Sequence, residues 1–163
     1  MVMRKIGDHV VYPMHGGATI SNIYEVDNDG VKMEYYVLKV LCNDLVVNVP
    51  VAQAEKLGMR DVSDRSVLGK LVEVLQDKPD VTEIKTVSWN RRQQMYIDRL
   101  KTGDMLKVAE TYKMLWILES ENRISVGERR LLRTSFRILQ SEIMLIEEKD
   151  EFTVEAWLEE HTK

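Results

Sequence analysis

The segment Asp27-Asn28-Asp29-Gly30 lies between stretches of strand-forming residues and decides how the first third of the chain folds. Asp-Gly accepts the positive φ angles of a tight turn, so the segment predicts a β-hairpin. Asn43-Asp44 and residues 13–17 indicate two further turns. The stretches between these breaks are rich in β-branched and aromatic residues and predict strands at residues 10–12, 18–20, 35–41 and 45–49. Several short antiparallel strands favour a small barrel, because closure removes exposed edges.

The pattern changes after Pro50, where apolar residues begin to recur at helical spacing. The third of the long helices is expected to begin at the capping box Ser125-Val126-Gly127-Glu128 and to run through Ile146. A loop that contains Pro79 is expected at residues 77–87. The other predicted helices cover residues 51–57, 64–76, 89–101, 104–120 and 154–160.

These elements predict an α+β fold, in which a small β-barrel precedes a compact all-α helical domain. The boundary is expected near residues 59–63, which gives one domain at residues 1–60 and a second at residues 61–163.

Charge is distributed unevenly along the 163 residues, although the whole chain carries only −4. Residues 85–107 contain six basic and two acidic side chains, and residues 123–137 contain five arginines and one glutamate. Residues 147–160 contain seven acids and one lysine. Because charges are screened over about 8 Å at physiological salt, the two basic stretches act locally despite the negative total.

Nothing in the sequence points to catalysis, so we expect no enzyme, no metal and no cofactor. His9, His15 and His161 are scattered, and Gly16-Gly17 is too short for a phosphate-binding loop. The single cysteine, Cys42, excludes an internal disulfide and is expected to be a buried thiol in a strand. Apolar runs are too short to cross a bilayer and residues 1–8 lack a signal-peptide core, so we expect a cytoplasmic protein.

The segment Ser88-Trp89-Asn90-Arg91-Arg92 is the strongest candidate for a binding site. The helix dipole disfavours arginines in a first turn, so their presence there indicates an anion site. Trp89 is then a candidate to stack on, or wedge between, nucleic-acid bases. The alternative, that Trp89 is a packing residue, stays open.

A second candidate surface lies on the helix after the capping box. Arg129, Arg133 and Arg137 recur every four residues and share one face, and Arg130 lies beside them. Only Glu128 and Glu142 are near them in sequence, so this face is expected to contact phosphates. A merely solvated basic face is the alternative.

Several segments together resemble the CarD/CdnL family of bacterial transcription regulators, in order along nearly the whole chain. The opening segment would also fit the matching module of transcription-repair coupling factors, whereas the helical half points to CarD/CdnL. The matching segments are Ile6-Gly7-Asp8-His9-Val10-Val11-Tyr12-Pro13-Met14-His15-Gly16, Glu34-Tyr35-Tyr36-Val37-Leu38-Lys39-Val40, Val47-Asn48-Val49-Pro50, Trp89-Asn90-Arg91-Arg92, Lys101-Thr102-Gly103-Asp104 and Ser125-Val126-Gly127-Glu128-Arg129-Arg130.

The resemblance implies a Tudor-like barrel that binds the β subunit of RNA polymerase, with Asn48 and Val26 in the contact. It also implies helices that bind promoter DNA without reading its sequence, at the upstream edge of the transcription bubble. Trp89 matches the family's minor-groove wedge, which slows bubble collapse. The implied DNA contacts are Trp89, Arg91, Arg92, Arg129, Arg130 and Arg133.

The resemblance implies further a nucleoid-associated protein with no cofactor and no membrane, bound to polymerase as a monomer. A domain-swapped dimer through the loop near Pro79 stays open. Two positions depart from the family. Asn48 stands where relatives often carry a polymerase-contacting arginine, and Gln93-Gln94 replaces an aromatic and a basic residue. Asn48 is expected either to weaken the polymerase contact or to leave it to backbone pairing along an exposed strand of the barrel. Gln93-Gln94 affects part of the implied DNA patch.

Two other functions remain as alternatives. A general nucleic-acid-binding protein would need only the helical half to bind duplex DNA. A protein-interaction adaptor with a Tudor-like barrel would have no direct DNA role, so that replacing Trp89 would leave every DNA effect unchanged.

Overall fold

Strands occupy the first third of the chain in the computed structural model, which describes residues 3–163, and helices occupy the rest. Met1 and Val2, part of the N-terminal segment considered above, lie outside the described residues. The α+β class is therefore confirmed. The strands are β1 (His9–Tyr12), β2 (Gly16–Asn28), β3 (Val31–Val40), β4 (Val46–Pro50) and β5 (Arg60–Asp61).

The five strands form one antiparallel sheet in the order β4-β3-β2-β1-β5. In the described part of the chain β4 and β5 are not paired with each other, so the sheet is open where the sequence predicted a closed barrel. The closure fails because β5 has only two residues, both of which pair with β1. A register shift between Ile20 and Asn22 bends β2, which gives the sheet curvature without closure.

The predicted hairpin is confirmed. Strand β2 ends at Asn28 and β3 begins at Val31, so Asp29 and Gly30 form the two-residue loop, with φ of 51° and 86°. These angles match the turn type whose twist fits a hairpin. The Asp27 carboxylate accepts a hydrogen bond of 2.9 Å from the Gly30 N–H and closes the turn.

The five helices are α1 (Val67–Gln76), α2 (Trp89–Lys101), α3 (Met105–Ser120), α4 (Val126–Glu147) and α5 (Glu151–Thr162). Helix α2 has the predicted bounds, and α4 begins at the predicted capping box. Helix α5 begins earlier than predicted because the Asp150 side chain caps it, accepting from the Thr153 N–H at 2.7 Å. The helix predicted at residues 51–57 is only a short 3-10 turn, Val51–Gln53, and the loop at 77–87 contains another, Ile84–Thr86.

Each half has its own apolar core. Ile20, Tyr36, Leu38 and Val49 form the core under the sheet. Leucines that are completely buried fill the helical core, namely Leu71, Leu75, Leu100, Leu115, Leu118, Leu139 and Leu158.

Helix α4 joins the two halves. The Arg60 guanidinium donates two hydrogen bonds of 2.8 Å to the buried Glu142 carboxylate, which also accepts from the Ser63 N–H at 2.8 Å. The Gly17 N–H donates to Ser141 Oγ at 2.8 Å. A Cβ on Gly17 would come within 2.9 Å of the Ser141 carbonyl oxygen, so only glycine allows this approach. The predicted domain boundary at residue 60 falls inside β5, next to this joint.

Cys42 lies in the turn between β3 and β4, not in the predicted strand, and is half-buried. Burial raises the pKa of its thiol. Within residues 3–163, no helix is both long and apolar enough to cross a membrane.

Candidate nucleic-acid interface

Trp89 is the first residue of α2, and its half-buried indole lies against the N-terminus of α4. A Cβ built on Gly127 would come within 2.5 Å of Trp89 Cζ2 and 2.8 Å of Cη2. The ring edge therefore rests directly on the α4 backbone at a position that has no side chain. The Arg92 guanidinium lies over the same ring, 5.4 Å from its centroid. Trp89 thus combines a packed edge with a surface that remains accessible.

The two arginines that follow Trp89 differ in environment. Arg91 is exposed, whereas Arg92 retains only 8% of its accessible surface. Arg92 Nη1 donates to the Val87 carbonyl at 2.7 Å, and Nε lies 3.5 Å from Glu128 Oε2. Arg91 is thus available to an external phosphate. The expectation that Arg92 also holds phosphate is at odds with this burial, because its guanidinium is engaged inside the protein.

Glu128 is completely buried and binds groups from three parts of the chain. Its Oε1 lies 2.8 Å from Lys85 Nζ, and the Ser125 N–H donates to the same oxygen at 3.1 Å. The Tyr96 hydroxyl donates to Oε2 at 2.7 Å. Burial raises the pKa of Glu128, but the hydrogen bonds from Lys85, Tyr96 and Ser125 outweigh it and bring the pKa to about 2. The carboxylate is therefore ionised at neutral pH.

The capping box is confirmed, because Glu128 N–H also donates to Ser125 Oγ. The sequence identified Glu128 only as a helix cap. Its role as the centre of an ion-pair network was missed, because Lys85 and Arg92 are far from it in sequence and meet it only in the folded chain.

The arginines of α4 are all exposed, but they face different surroundings. Arg129 Nε lies 4.0 Å from Glu119 Oε1. Arg133 and Arg137 line a groove of about 410 Å³ between α3, α4 and α5. Three acids of α5 line that groove as well, namely Glu151, Glu155 and Glu159.

The expectation that only Glu128 and Glu142 lie near the arginine face is therefore wrong. Both of those glutamates are buried and paired elsewhere, with Lys85 and Arg60. The acids near the arginines come from α3 and α5. Their proximity was not apparent from the sequence, because they are distant from the arginines along the chain. Positive charge is consequently least compensated at the N-terminal end of α4, around Arg130.

The contact between Trp89 and Gly127 brings the first turns of α2 and α4 together at one end of the helical half. Val126, the first residue of α4, is 76% exposed there. We call the Trp89 indole and the exposed side chains at these two helix ends the Trp89 surface. It consists of Trp89, Arg91, Val126, Arg129 and Arg130.

A second exposed surface lies on the sheet. Asn48 is exposed on the edge strand β4 and pairs with Val37 of β3, and Val26 of β2 pairs with Met33. Since paired residues, and residues two apart, share a face, Asn48 and Val26 lie on the same side of the sheet without being adjacent. We call this side the outer sheet face, and it comprises Tyr24, Val26, Met33, Tyr35, Val37, Val46 and Asn48.

Sequence reasoning missed the aromatic part of the outer sheet face. Tyr24 and Tyr35 are cross-strand partners whose rings stack with centroids 5.4 Å apart and planes 15° apart. Val46 on the same face is 62% exposed. The sequence signal was the adjacent pair Tyr35-Tyr36 in a predicted strand. Because successive strand residues point to opposite faces, one of the two tyrosines must lie on the outer sheet face when the other is buried.

The histidines occupy separate places. His9 Nδ1 lies 3.1 Å from Thr19 Oγ1, His15 stacks on Tyr12, and His161 Nδ1 lies 2.8 Å from the Trp157 carbonyl oxygen. Over residues 3–163, no three His, Cys, Asp or Glu side chains are grouped so that they could hold a metal ion.

Comparison with known proteins identifies similarity over both halves of the chain. Residues 5–63 match the family model described as CarD-like/TRCF RID domain, and residues 70–159 match the one described as CarD, C-terminal domain. The Bacillus subtilis (strain 168) protein YdeB, named as a candidate transcription factor, is 28% identical over 144 residues. The alignment covers 88% of this chain and 92% of YdeB.

Proposed function

This chain belongs to the CarD-like family of transcription regulators, and from that premise we propose that it stabilises open promoter complexes by binding RNA polymerase and DNA together. The outer sheet face would bind the β subunit of the polymerase. The Trp89 surface would bind promoter DNA near the upstream edge of the bubble. These partners would place the protein on the nucleoid, as a monomer in its bound state.

The observation that carries the DNA proposal is the composition of the Trp89 surface. A partly exposed indole lies where the first turns of α2 and α4 meet, and the exposed cations Arg91, Arg129 and Arg130 belong to these two helix ends. Arg91 and Arg129 lie in the first turns of α2 and α4, where unpaired N–H groups and the helix dipoles favour anions. Such a surface suits a phosphate backbone that passes an opened base step.

The free energies of base unstacking and ring stacking are of the size needed for a moderate change in the population of open complexes. Unstacking a base step costs a few kcal/mol, which an inserted aromatic ring offsets in part. Only opened DNA accepts the ring, so binding shifts the equilibrium by the difference in affinity for the two states. A tenfold change in open-complex population needs about 1.4 kcal/mol, within the range of one stacked base.

The residues predicted to contact DNA differ in exposure and surroundings, and we assign their roles accordingly. We propose that Trp89, Arg91, Arg129 and Arg130 contact DNA, with Arg133 at the margin because it faces the glutamates of the groove. We assign Arg92 to the interior of the protein, since it is buried beside Glu128.

For polymerase binding, the outer sheet face offers an apolar and aromatic surface beside an edge strand. Among residues 3–163, β4 pairs on one side only, with β3, which leaves its other side for strand addition. Asn48 and Val26 lie on this face, and the Tyr24–Tyr35 stack lies between them in the sheet. The name of the domain model that matches residues 5–63 pairs CarD with a coupling-factor module, which supports a polymerase partner.

Open-complex lifetime with the cognate polymerase tests the proposal. We would compare no factor, the wild-type chain, Trp89→Ala and Phe152→Ala, whose ring is 80% exposed on α5 and serves as the matched control. We expect the wild type and Phe152→Ala to lengthen the lifetime equally, and Trp89→Ala to lose most of the effect while still binding polymerase. Equal action by Trp89→Ala and wild type would instead support an adaptor that acts through protein contacts alone.

A further inference from the structure

We propose that Gly127 and Glu128 are positioning residues that hold the Trp89 indole in the orientation in which it engages DNA. This inference rests on the proposed DNA role of Trp89. It assigns to the first turn of α4 a function beyond that of a capped helix end.

Gly127 leaves the space that the edge of the Trp89 ring occupies. Any side chain at this position would meet Cζ2 and Cη2 of Trp89 at 2.5 Å and 2.8 Å. The atoms that would have to move belong to the end of the indole and not to a backbone, so a methyl group there would displace the ring while the helix stays intact. Gly69 in α1 is a natural contrast, because a Cβ there would meet nothing within 4 Å.

Glu128 holds the ring through a second residue. Its carboxylate attracts the Arg92 guanidinium at 3.5 Å, and Arg92 lies 5.4 Å from the centre of the Trp89 ring. Lys85 and Tyr96 fix the carboxylate itself, at 2.8 Å and 2.7 Å. The orientation of the indole is thereby tied to a completely buried group that cannot move freely.

A fixed orientation matters because an aromatic side chain that is already ordered loses less conformational freedom on binding. Val126, in the same first turn of α4 as Gly127, is 76% exposed. A ring held on Gly127 therefore lies at a helix end that also carries an exposed apolar side chain. A displaced ring would keep the same chemistry but lose this alignment.

The first test needs no DNA. The full chain labelled with 5-fluorotryptophan has three fluorine positions, one for each tryptophan, and Trp89→Phe identifies the Trp89 signal. We expect Gly127→Ala to shift that signal and to leave the other two in place. Gly69→Ala, which adds the same methyl group to an open helix position, should shift none of them.

The second test measures the lifetime of open complexes formed with the same variants. We expect Gly127→Ala to lose about fivefold or more of the lifetime extension, in line with a weakened stacking contact, and Gly69→Ala to lose nothing. Glu128→Gln keeps one of the two acceptor oxygens but removes the charge that attracts Arg92, so it should act in the same direction. If Glu128→Gln does not fold, Arg92→Gln tests the same link.

The outcomes separate the two proposals. If Trp89→Ala has no effect on lifetime, the wedge function is wrong. If Trp89→Ala abolishes the effect but Gly127→Ala changes neither the fluorine signal nor the lifetime, the wedge stands and the positioning inference is overturned. A longer lifetime with Gly127→Ala would also overturn it. The native contact with Gly127 would then be holding the Trp89 indole away from the orientation that engages DNA.

Discussion

At the scale of single residues, Arg91 and Arg92 show how neighbours in sequence divide between surface and interior. Successive helix residues are rotated by about 100°, so of these two neighbours one faces solvent and the other the interior. Which one it is depends on Glu128, a partner from another helix. The sequence predicted correctly that Trp89 begins a helix, but the burial of Arg92 depends on a tertiary contact that no local pattern contains.

The two arginines should therefore respond differently to truncation. Arg92→Ala removes a partner of the buried Glu128 and should lower the free energy of unfolding by about 1–3 kcal/mol. Arg91→Ala should leave stability within about 0.5 kcal/mol of the wild type and weaken DNA binding. Urea denaturation and a DNA titration measure the two effects. Comparable destabilisation by both variants would contradict the assignment.

Glu128 should also make stability depend on acid pH. Its pKa is lowered to about 2 in the folded protein, so the unfolded chain takes up the proton first as pH falls. Its contribution is complete above the ordinary glutamate pKa and is lost as pH falls towards 2. We expect about 2–3 kcal/mol of the acid-induced loss between pH 5 and pH 2 to be absent in Glu128→Gln.

Denaturant unfolding at several pH values gives this difference. Glu110→Gln, at an exposed position of α3, is the control and should follow the wild-type pH dependence. A Glu128→Gln curve parallel to that of the wild type would show that the buried carboxylate has an ordinary pKa.

At the scale of elements, α4 performs a different task in each of its parts. Its first turn seats Trp89, its arginines follow one exposed face, and Ser141 and Glu142 attach it to the sheet. The capping box and the helical spacing predicted where α4 begins and which residues it exposes. The acids around its arginines were not predictable, because they lie on helices whose packing angle the sequence does not specify.

The arginines of α4 should contribute to DNA binding in order of their distance from the groove acids. Arg130→Ala should weaken binding and reduce the salt dependence by about one counterion. Arg133→Ala should have a smaller effect, because Arg133 shares the groove with Glu151, Glu155 and Glu159. Titrations of duplex DNA at several salt concentrations compare the two variants. A larger effect of Arg133→Ala would mean that DNA enters the groove.

At the scale of the whole molecule, two halves with separate cores are joined at α4, where the buried Glu142 carboxylate and the Ser141 hydroxyl bind groups of the first half. The change from strand to helix patterns near residue 60 was predictable from the sequence. The joint was not, since Arg60, Ser63 and Glu142 approach each other only in the folded chain. The open sheet was also unforeseen, because strand patterns show how many strands form but not whether the last meets the first.

The joint should make the two halves unfold as one unit. Arg60→Met leaves Glu142 buried without its cation and should destabilise the protein by about 3–5 kcal/mol. It should also broaden the calorimetric transition or split it in two. Arg65→Met is the matched control, because Arg65 is exposed and pairs with a partly buried glutamate, Glu147, so its loss should cost less than about 1 kcal/mol. Equal effects would argue against a coupling role for Glu142.

The length of α4 between its two attachments fixes the distance between the Trp89 contact at Gly127 and the contact with the first half at Glu142. Gly127 and Glu142 are 15 residues apart on one continuous helix, which at about 1.5 Å per residue is about 22 Å. Along B-form DNA, at about 3.4 Å per base pair, this distance corresponds to between about six and seven base pairs. Under the proposed function, α4 would hold the sheet that binds polymerase at a fixed distance from the residues that touch the bubble edge, so promoters would be sorted by where they open, whatever bases they carry there.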